Sequence, residues 1–510
     1  MRSSMKLSFN PRHWNAGILA IAGLAVALFL CPRAVFGLTG ADPATTAAPT
    51  ATATATPAAE APSPAAAVPT FTTQAHMLNW GPGREKLADK GFSFDFFYVT
   101  DILADPANPT GTDRRLTDWQ RLRGTINVDF GKFSALKGLS LWSTGLWQNG
   151  SNMGGVIGSI SNPSGIVSSH QFRLDSITLT QKFLDNKVSI EAGIFAARDR
   201  YGLQPYGGAF VMEPLDYDFG NLGNARPSYD PESSPAVNLK ITPNKYFAVE
   251  SGFFMPPDDG EEHDYPTGWK PMSGAHGNTW DTAVFYNTFA NHTPDQKNYQ
   301  GQIQVGYIYN GSKAGSCSAY TGCSGFVDYS KTADYWNLYN ASGAVHKAGL
   351  SKNASTGISY DGGVLIDDEV YVDHNYEVYA MVNQPVYRVA AGSNRGLDVL
   401  FGVNTGPQEK SEVPTEFVAG AVFNGPITCR PTDTLAVGMT YAKIGSDYND
   451  AMTAYYGPGY TLNNETQIEV NYDLHVFPWL QFQPVYQHYS SVGGSNKSAT
   501  VAGMRVFVDF

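Results

Sequence analysis

Several short runs of this sequence carry polar side chains at every second position. Arg121, Arg123, Thr125, Asn127 and Asp129 alternate with Leu122, Ile126 and Val128. Gln467, Glu469, Asn471 and Asp473 alternate with Ile468, Val470, Tyr472 and Leu474. Glu465, Gln483, Gln487 and Arg505 occupy the polar side of neighbouring runs. Guanidinium, carboxylate and amide groups on one face donate and accept hydrogen bonds, so they can hold a polar ligand by several weak contacts. The plainer reading for most of them is solvation, because any water-filled cylinder needs a polar inner face. The candidates for ligand contact on this basis are Arg121, Arg123, Asn127, Asp129, Glu465, Glu469, Asn471, Gln483, Gln487 and Arg505.

A second candidate is the Gly- and Pro-rich stretch Gly202–Pro235. It holds Tyr206, Phe210, Asp216, Tyr217, Asp218, Arg226 and Tyr229. Long ordered loops are often functional, and mixed Arg, Asp and Tyr suit a polyhydroxylated ligand. The alternative is an exposed loop without a role in binding. Asp258–Asp264 is an acidic cluster, but its spacing is not that of an EF-hand loop, and a solvated loop explains it better. His263, His276 and His292 lie in loops without metal-ligand spacing. Neither a cofactor nor a metal is expected. Nucleophile elbow, His-Glu-x-x-His and Walker A motifs do not occur in the sequence, so an enzyme is not expected.

The elements that must position these residues follow from the same rhythm. In Phe92–Val99, Phe92, Phe94, Phe96 and Tyr98 oppose Ser93, Asp95, Phe97 and Val99. In Ala502–Phe510, Ala502, Met504, Val506, Val508 and Phe510 oppose Gly503, Arg505, Phe507 and Asp509. A period of two places the two sets on opposite faces of a strand. A soluble sandwich shows the same alternation. Aromatics near strand ends, alternating short turns and long Gly-rich connections, and a terminal Phe510 favour a transmembrane barrel instead. Strands can span lipid only as a closed cylinder, where every backbone group has a partner. About 420 residues follow Lys90, which suits about 16 strands, with 14 or 18 close alternatives. The expected fold is all-β: an antiparallel transmembrane β-barrel with short periplasmic turns and long extracellular loops. Pro82 and Gly91 bound a short helix ahead of the first strand.

Composition agrees with export. Charged residues are 16% and aromatics 13%, and the formal net charge is −12, which argues against disorder and against nucleic-acid binding. Ala16–Leu30 is an uncharged run preceded by Arg2, Lys6 and Arg12. It reads as a signal peptide over residues 1–37, since fifteen residues reach only about 22 Å. Residues 38–75, nearly all Ala, Thr and Pro at first, read as a disordered periplasmic tether. Residues 76–510 form the barrel domain. Cys317 and Cys323 lie in one Gly/Ser/Tyr loop and read as a local disulfide, which leaves Cys429 over.

Four segments resemble the carbohydrate-selective porin family of the OprB type. They are Leu78–Phe92, Gln181–Gly193 with Arg198 and Asp199, Asn383–Arg388 through Arg430–Asp433, and Glu465–Phe510. The resemblance runs from about residue 78 to the C-terminus and is weakest between Pro256 and Val370. It implies a sixteen-stranded barrel in the outer membrane of a Gram-negative bacterium, passing mono- or oligosaccharides passively into the periplasm. A general or ion-selective porin, a barrel-embedded hydrolase and a closed adhesion barrel are the alternatives. The implied partners are carbohydrate, outer-membrane lipid and the barrel assembly machinery at Phe510, with a monomer or weak homotrimer as the assembly. On that reading the substrate-binding set is Arg121, Arg123, Asp129, Asp216, Arg226, Glu465, Glu469, Asn471, Gln483 and Arg505, and Gly202–Pro235 folds inward as the constriction.

Overall fold

The computed structural model describes residues 74–78, 83–106, 111, 115–168, 171–206, 208–216, 223–256, 277–288, 299–313, 325–333, 351–352, 359–360, 371–390 and 392–510. The proposed signal peptide, nearly all of the tether, Asp258–Asp264, Tyr217, Asp218, Cys317 and Cys323 lie outside them. Cys429 is disulfide-bonded. That corrects the expectation that it would be left over.

Sixteen strands close into one antiparallel barrel. They are β1 (Phe92–Ala104), β2 (Leu116–Asp129), β3 (Leu139–Gly150), β4 (Gln171–Phe183), β5 (Val188–Phe195), β6 (Ser234–Ile241), β7 (Phe247–Phe254) and β8 (Thr279–Asn287). The rest are β9 (Gln302–Asn310), β10 (Asn375–Arg388), β11 (Gly396–Thr405), β12 (Thr415–Asn424), β13 (Thr434–Lys443), β14 (Glu465–Phe477), β15 (Leu480–Ser490) and β16 (Ala499–Asp509). Each pairs with its sequence neighbour, and β1 meets β16 in register from Phe97↔Asp509 to Ala104↔Ala502. Closure removes the free edges that lipid would not tolerate.

The alternation sorts outside from inside. Leu122, Ile126, Phe401, Phe417, Val437 and Ile468 are exposed on the outer face. Their partners in the alternation, such as Gln467, Glu469 and Asn471, are buried in the interior. Two rows of outer aromatics mark the ends of β7 and β8. Phe247 packs on Tyr286 with centroids 5.1 Å apart, and Phe253 packs on Trp280 at 6.0 Å. These rows are what an interfacial aromatic girdle requires.

The rim that holds both ends of the barrel carries the shorter connections, the longest of them residues 288–301. It is therefore the periplasmic rim. Here α1 (Gly83–Asp89) and the segment before it fasten the closing seam. Arg84 donates to the carbonyls of Phe510 (3.0 Å) and Phe94 (2.7 Å), and His76 Nδ1 lies 2.8 Å from Asp509 Oδ1. Gly91 ends α1 with φ +90°, where a Cβ would meet the Asp129 carbonyl oxygen at 2.5 Å. On the turn between β12 and β13, Asp433 accepts from Arg430 and from the Tyr472 hydroxyl at 2.7 Å, and Arg430 also donates to the His475 carbonyl at 2.7 Å. This net gives the Arg430–Asp433 segment its structural purpose.

The opposite rim carries long connections, and two of them turn into the barrel. They follow β3 and β5, and their described residues are 151–168 (with α2, Met153–Ile157) for the first and 196–206, 208–216 and 223–233 for the second. The interior is consequently not uniformly polar. Phe210, Met212 and Leu215 of the second connection pack on Tyr379, Met381, Leu400, Val418 and Val422 of the inner wall. Met153 and Ile157 of α2 pack on Leu103, Val485, Tyr489 and Val501.

Candidate functional site

Glycines on the inner wall make room for the second infolded segment. Gly420 and Gly438 face each other on β12 and β13. A Cβ on Gly438 would come within 2.5 Å of Leu215 and 2.7 Å of Phe210, and one on Gly420 within 2.9 Å of Phe210. A glycine inside a strand marks such a close approach.

Buried polar groups hold the segment in place. Glu469 accepts the amides of Val211 (2.8 Å) and Met212 (2.7 Å). Asn471 donates to the Ala209 carbonyl at 2.9 Å, and Gln483 donates to the same carbonyl at 3.1 Å. Arg505 forks onto Asp101 (2.7 and 2.9 Å), lies 2.9 Å from Asp216 and reaches the Phe210 carbonyl at 3.2 Å. Farther along, Asp230 is gripped by Arg121 at 2.7 Å and Arg123 at 3.2 Å. Burial works against ionisation of Asp230, but the two guanidinium groups outweigh it and hold its carboxyl below the usual range. The first infolded segment is fastened similarly. Glu465 accepts the amides of Ile160, Ser161 and Gly493, Gln487 donates to the Pro163 carbonyl, and Arg121 donates to the Ile166 carbonyl.

Beneath the two segments lies a cavity of about 730 Å³, within the range of small-ligand sites. Its roof is made by Ile166, Val167, Pro205, Tyr206, Gly208, Ala209, Asp216, Tyr229 and Asp230. Its walls are the inner faces of β1–β3 and β12–β16, down to Asp95, Asn424, Thr434, His475 and Gln481 toward the periplasmic rim.

The structure divides the ten residues proposed from sequence. Arg121, Arg123, Asp216, Gln483 and Arg505 line the cavity. Glu465, Glu469 and Asn471 are buried behind the infolded segments they fasten. Asp129 caps the turn after β2 by accepting the Gly131 amide at 2.9 Å. Arg226 faces residues 325–333 of the outer connection, the one between β9 and β10, with its guanidinium 4.6 Å over the Phe326 ring and a donor 3.2 Å from the Gly325 carbonyl.

Phe97, Phe507, Trp142, His475 and Gln481 also face the cavity and were not among the candidates. Phe97 and Phe507 occupy the polar side of their alternating runs. A large aromatic on the same strand face as a charged residue two positions away, Asp95 for Phe97 and both Arg505 and Asp509 for Phe507, was the available signal.

A closed sixteen-stranded barrel with a lipid-facing apolar band, both ends on the short-turn rim and a connection folded into its lumen defines an outer-membrane porin. The family description "Carbohydrate-selective porin, OprB family" matches residues 113–510, and the chain belongs to that family. It is 22% identical to Porin B of Pseudomonas aeruginosa over 458 residues, 84% of this chain and 89% of that one. The high-pH structure of Pseudomonas putida OprB superposes with a TM-score of 0.70 at 19% identity, covering 86% of this chain and all of that one. The protein is thus a carbohydrate-selective porin of the Gram-negative outer membrane, through which sugars diffuse passively.

Proposed function

We propose that sugars cross this barrel beside the clamped segment 196–233 and meet Arg121, Arg123, Asp216, Gln483 and Arg505 on the way. The infolded segment narrows the lumen, and the cavity below it receives the solute before release to the periplasm. The observation that carries this reading is the Arg121–Asp230–Arg123 cluster at the cavity roof. Arg121 and Arg123 converge on one oxygen of Asp230, Oδ2, at 2.7 and 3.2 Å, so a sugar hydroxyl must share that oxygen and those guanidinium groups rather than capture them. Such sharing gives contacts weak enough for release, as conduction requires. The chain acts as a channel and not as an enzyme, as a monomer or a weak homotrimer. A signal peptide over 1–37 directs export, the tether 38–75 stays periplasmic, and Phe510 presents the barrel to its assembly machinery.

The test is ion current through single barrels in planar bilayers, titrated with sugars, alongside swelling of liposomes in the same sugars. The wild type is expected to show a saturable fall in current with sugar. In R123Q, half-saturation should rise about three- to tenfold, equivalent to about 1 kcal/mol of a charge-assisted hydrogen bond. A current indifferent to every sugar would favour the general, ion-selective porin.

A further inference from the structure

We infer that Phe97 and Phe507 form a stacking platform that selects pyranose rings over open-chain polyols. This rests on the sugar-channel reading above and assigns a specificity determinant to it. The two residues sit diagonally across the β1–β16 seam, on the inner face, where Val99 pairs with Phe507 and Phe97 with Asp509. Their rings are stacked, with centroids 5.3 Å apart and planes inclined by 29°. Val99, Ile166 and Val167 back and edge the pair. Both rings are only partly buried and both border the cavity.

A pair of phenyl groups facing a wet lumen leaves apolar area in water, and a solute with an apolar face can cover it. The face of an aromatic ring is negative and attracts polarised C–H hydrogens. A pyranose with equatorial hydroxyls presents C–H bonds on its faces and hydroxyls around its rim. Laid on this platform, its rim has hydrogen-bonding groups on both sides. Arg121 and Arg123 stand on β2 next to β1, and Gln481 and Gln483 stand on β15 next to β16. An open-chain polyol carries equivalent hydroxyls but no fixed C–H face. Hydrogen bonding alone would therefore not separate the two, whereas the platform does.

D-glucose and D-sorbitol are the probes, read by the same current titration on the full-length barrel. The wild type is expected to bind D-glucose at least threefold better than D-sorbitol. F97L and F507L keep apolar volume at the seam but remove a ring. Each should bring the two half-saturation values within about twofold, chiefly by weakening D-glucose. F97Y keeps the ring and should keep the preference. A wild type blocked by neither solute would sink the transport reading itself. A wild type with the D-glucose preference, retained in F97L and F507L, would leave transport intact and overturn the platform. Loss of the preference in F97Y as well would assign it to disturbed seam packing and also overturn the platform.

Discussion

Two stretches of inner wall look alike in sequence and serve different ends. On β14, Glu465, Glu469 and Asn471 alternate with apolar residues, as Arg121 and Arg123 do on β2. The β14 groups are buried against loop backbone: Glu469 is spent on two amides and on Asn471 and Gln487. The β2 pair converges on the Asp230 carboxylate at the roof of a cavity, Arg123 also reaches Asp175 at 3.3 Å, and the Arg123 side chain keeps 18% of its surface accessible. A polar residue inside a porin can thus be scaffold or wall. What separates the two is whether the connection outside the strand returns to cover it.

Arg505 joins the two classes, since it lines the cavity and also clamps Asp101 and Asp216. Its removal should have the largest effect. R505A leaves two buried carboxylates without their partner, a loss of about 3–5 kcal/mol for a buried ion pair. We expect release of the segment around Asp216, a higher and noisier single-barrel conductance, and loss of saturable block by sugar. An R505A barrel with wild-type conductance would show that the glycine-lined packing alone holds the segment. The complementary variant acts on that packing. G438V places side-chain carbon where Leu215 and Phe210 now lie, and overpacking of this kind costs about 1–3 kcal/mol. Conductance should change in the same direction as in R505A but by less. The half-saturation for sugar should move only as far as the segment moves, because Gly438 does not border the cavity.

Much of the barrel could be read in advance because its signal is local. A two-residue period, Gly/Asn/Asp turns and a terminal aromatic each express one strand or one turn at a time. The outer face of Ile468 follows from repeating that rule, whereas chain length left 14, 16 or 18 strands open and only the closed pairing of β1 with β16 fixes sixteen. The lumen could not be read in that way. Whether Glu469 meets water, sugar or the amides of Val211 and Met212 depends on residues more than two hundred positions away in sequence. Some of this was nevertheless visible. Gly420 and Gly438 interrupt inner-face positions of two adjacent strands, and each announces a close neighbour. Phe97 and Phe507 break the polar side of their own runs. Asp129 could not be separated from Arg121 by periodicity, since both fall on the same face and only the turn beyond Asp129 claims its carboxylate.

The comparison predicts its smallest effect at Arg226, which belongs to neither wall. Its type and loop position made it as good a candidate as Arg123, yet its guanidinium covers the Phe326 ring on the outer side of the segment. If placement relative to the cavity decides function, R226Q should leave half-saturation by sugar within about twofold of wild type. The outer connection loses a cation–π contact, about 0.5–1 kcal/mol at an accessible site, and the hydrogen bond to the Gly325 carbonyl, about 1 kcal/mol, and conductance should shift by no more than a small fraction. An R226Q barrel that lost sugar block as strongly as R123Q would mean that solutes are sorted above the infolded segment, before they reach the cavity. The division between scaffold and wall would then have to be redrawn around the outer connection.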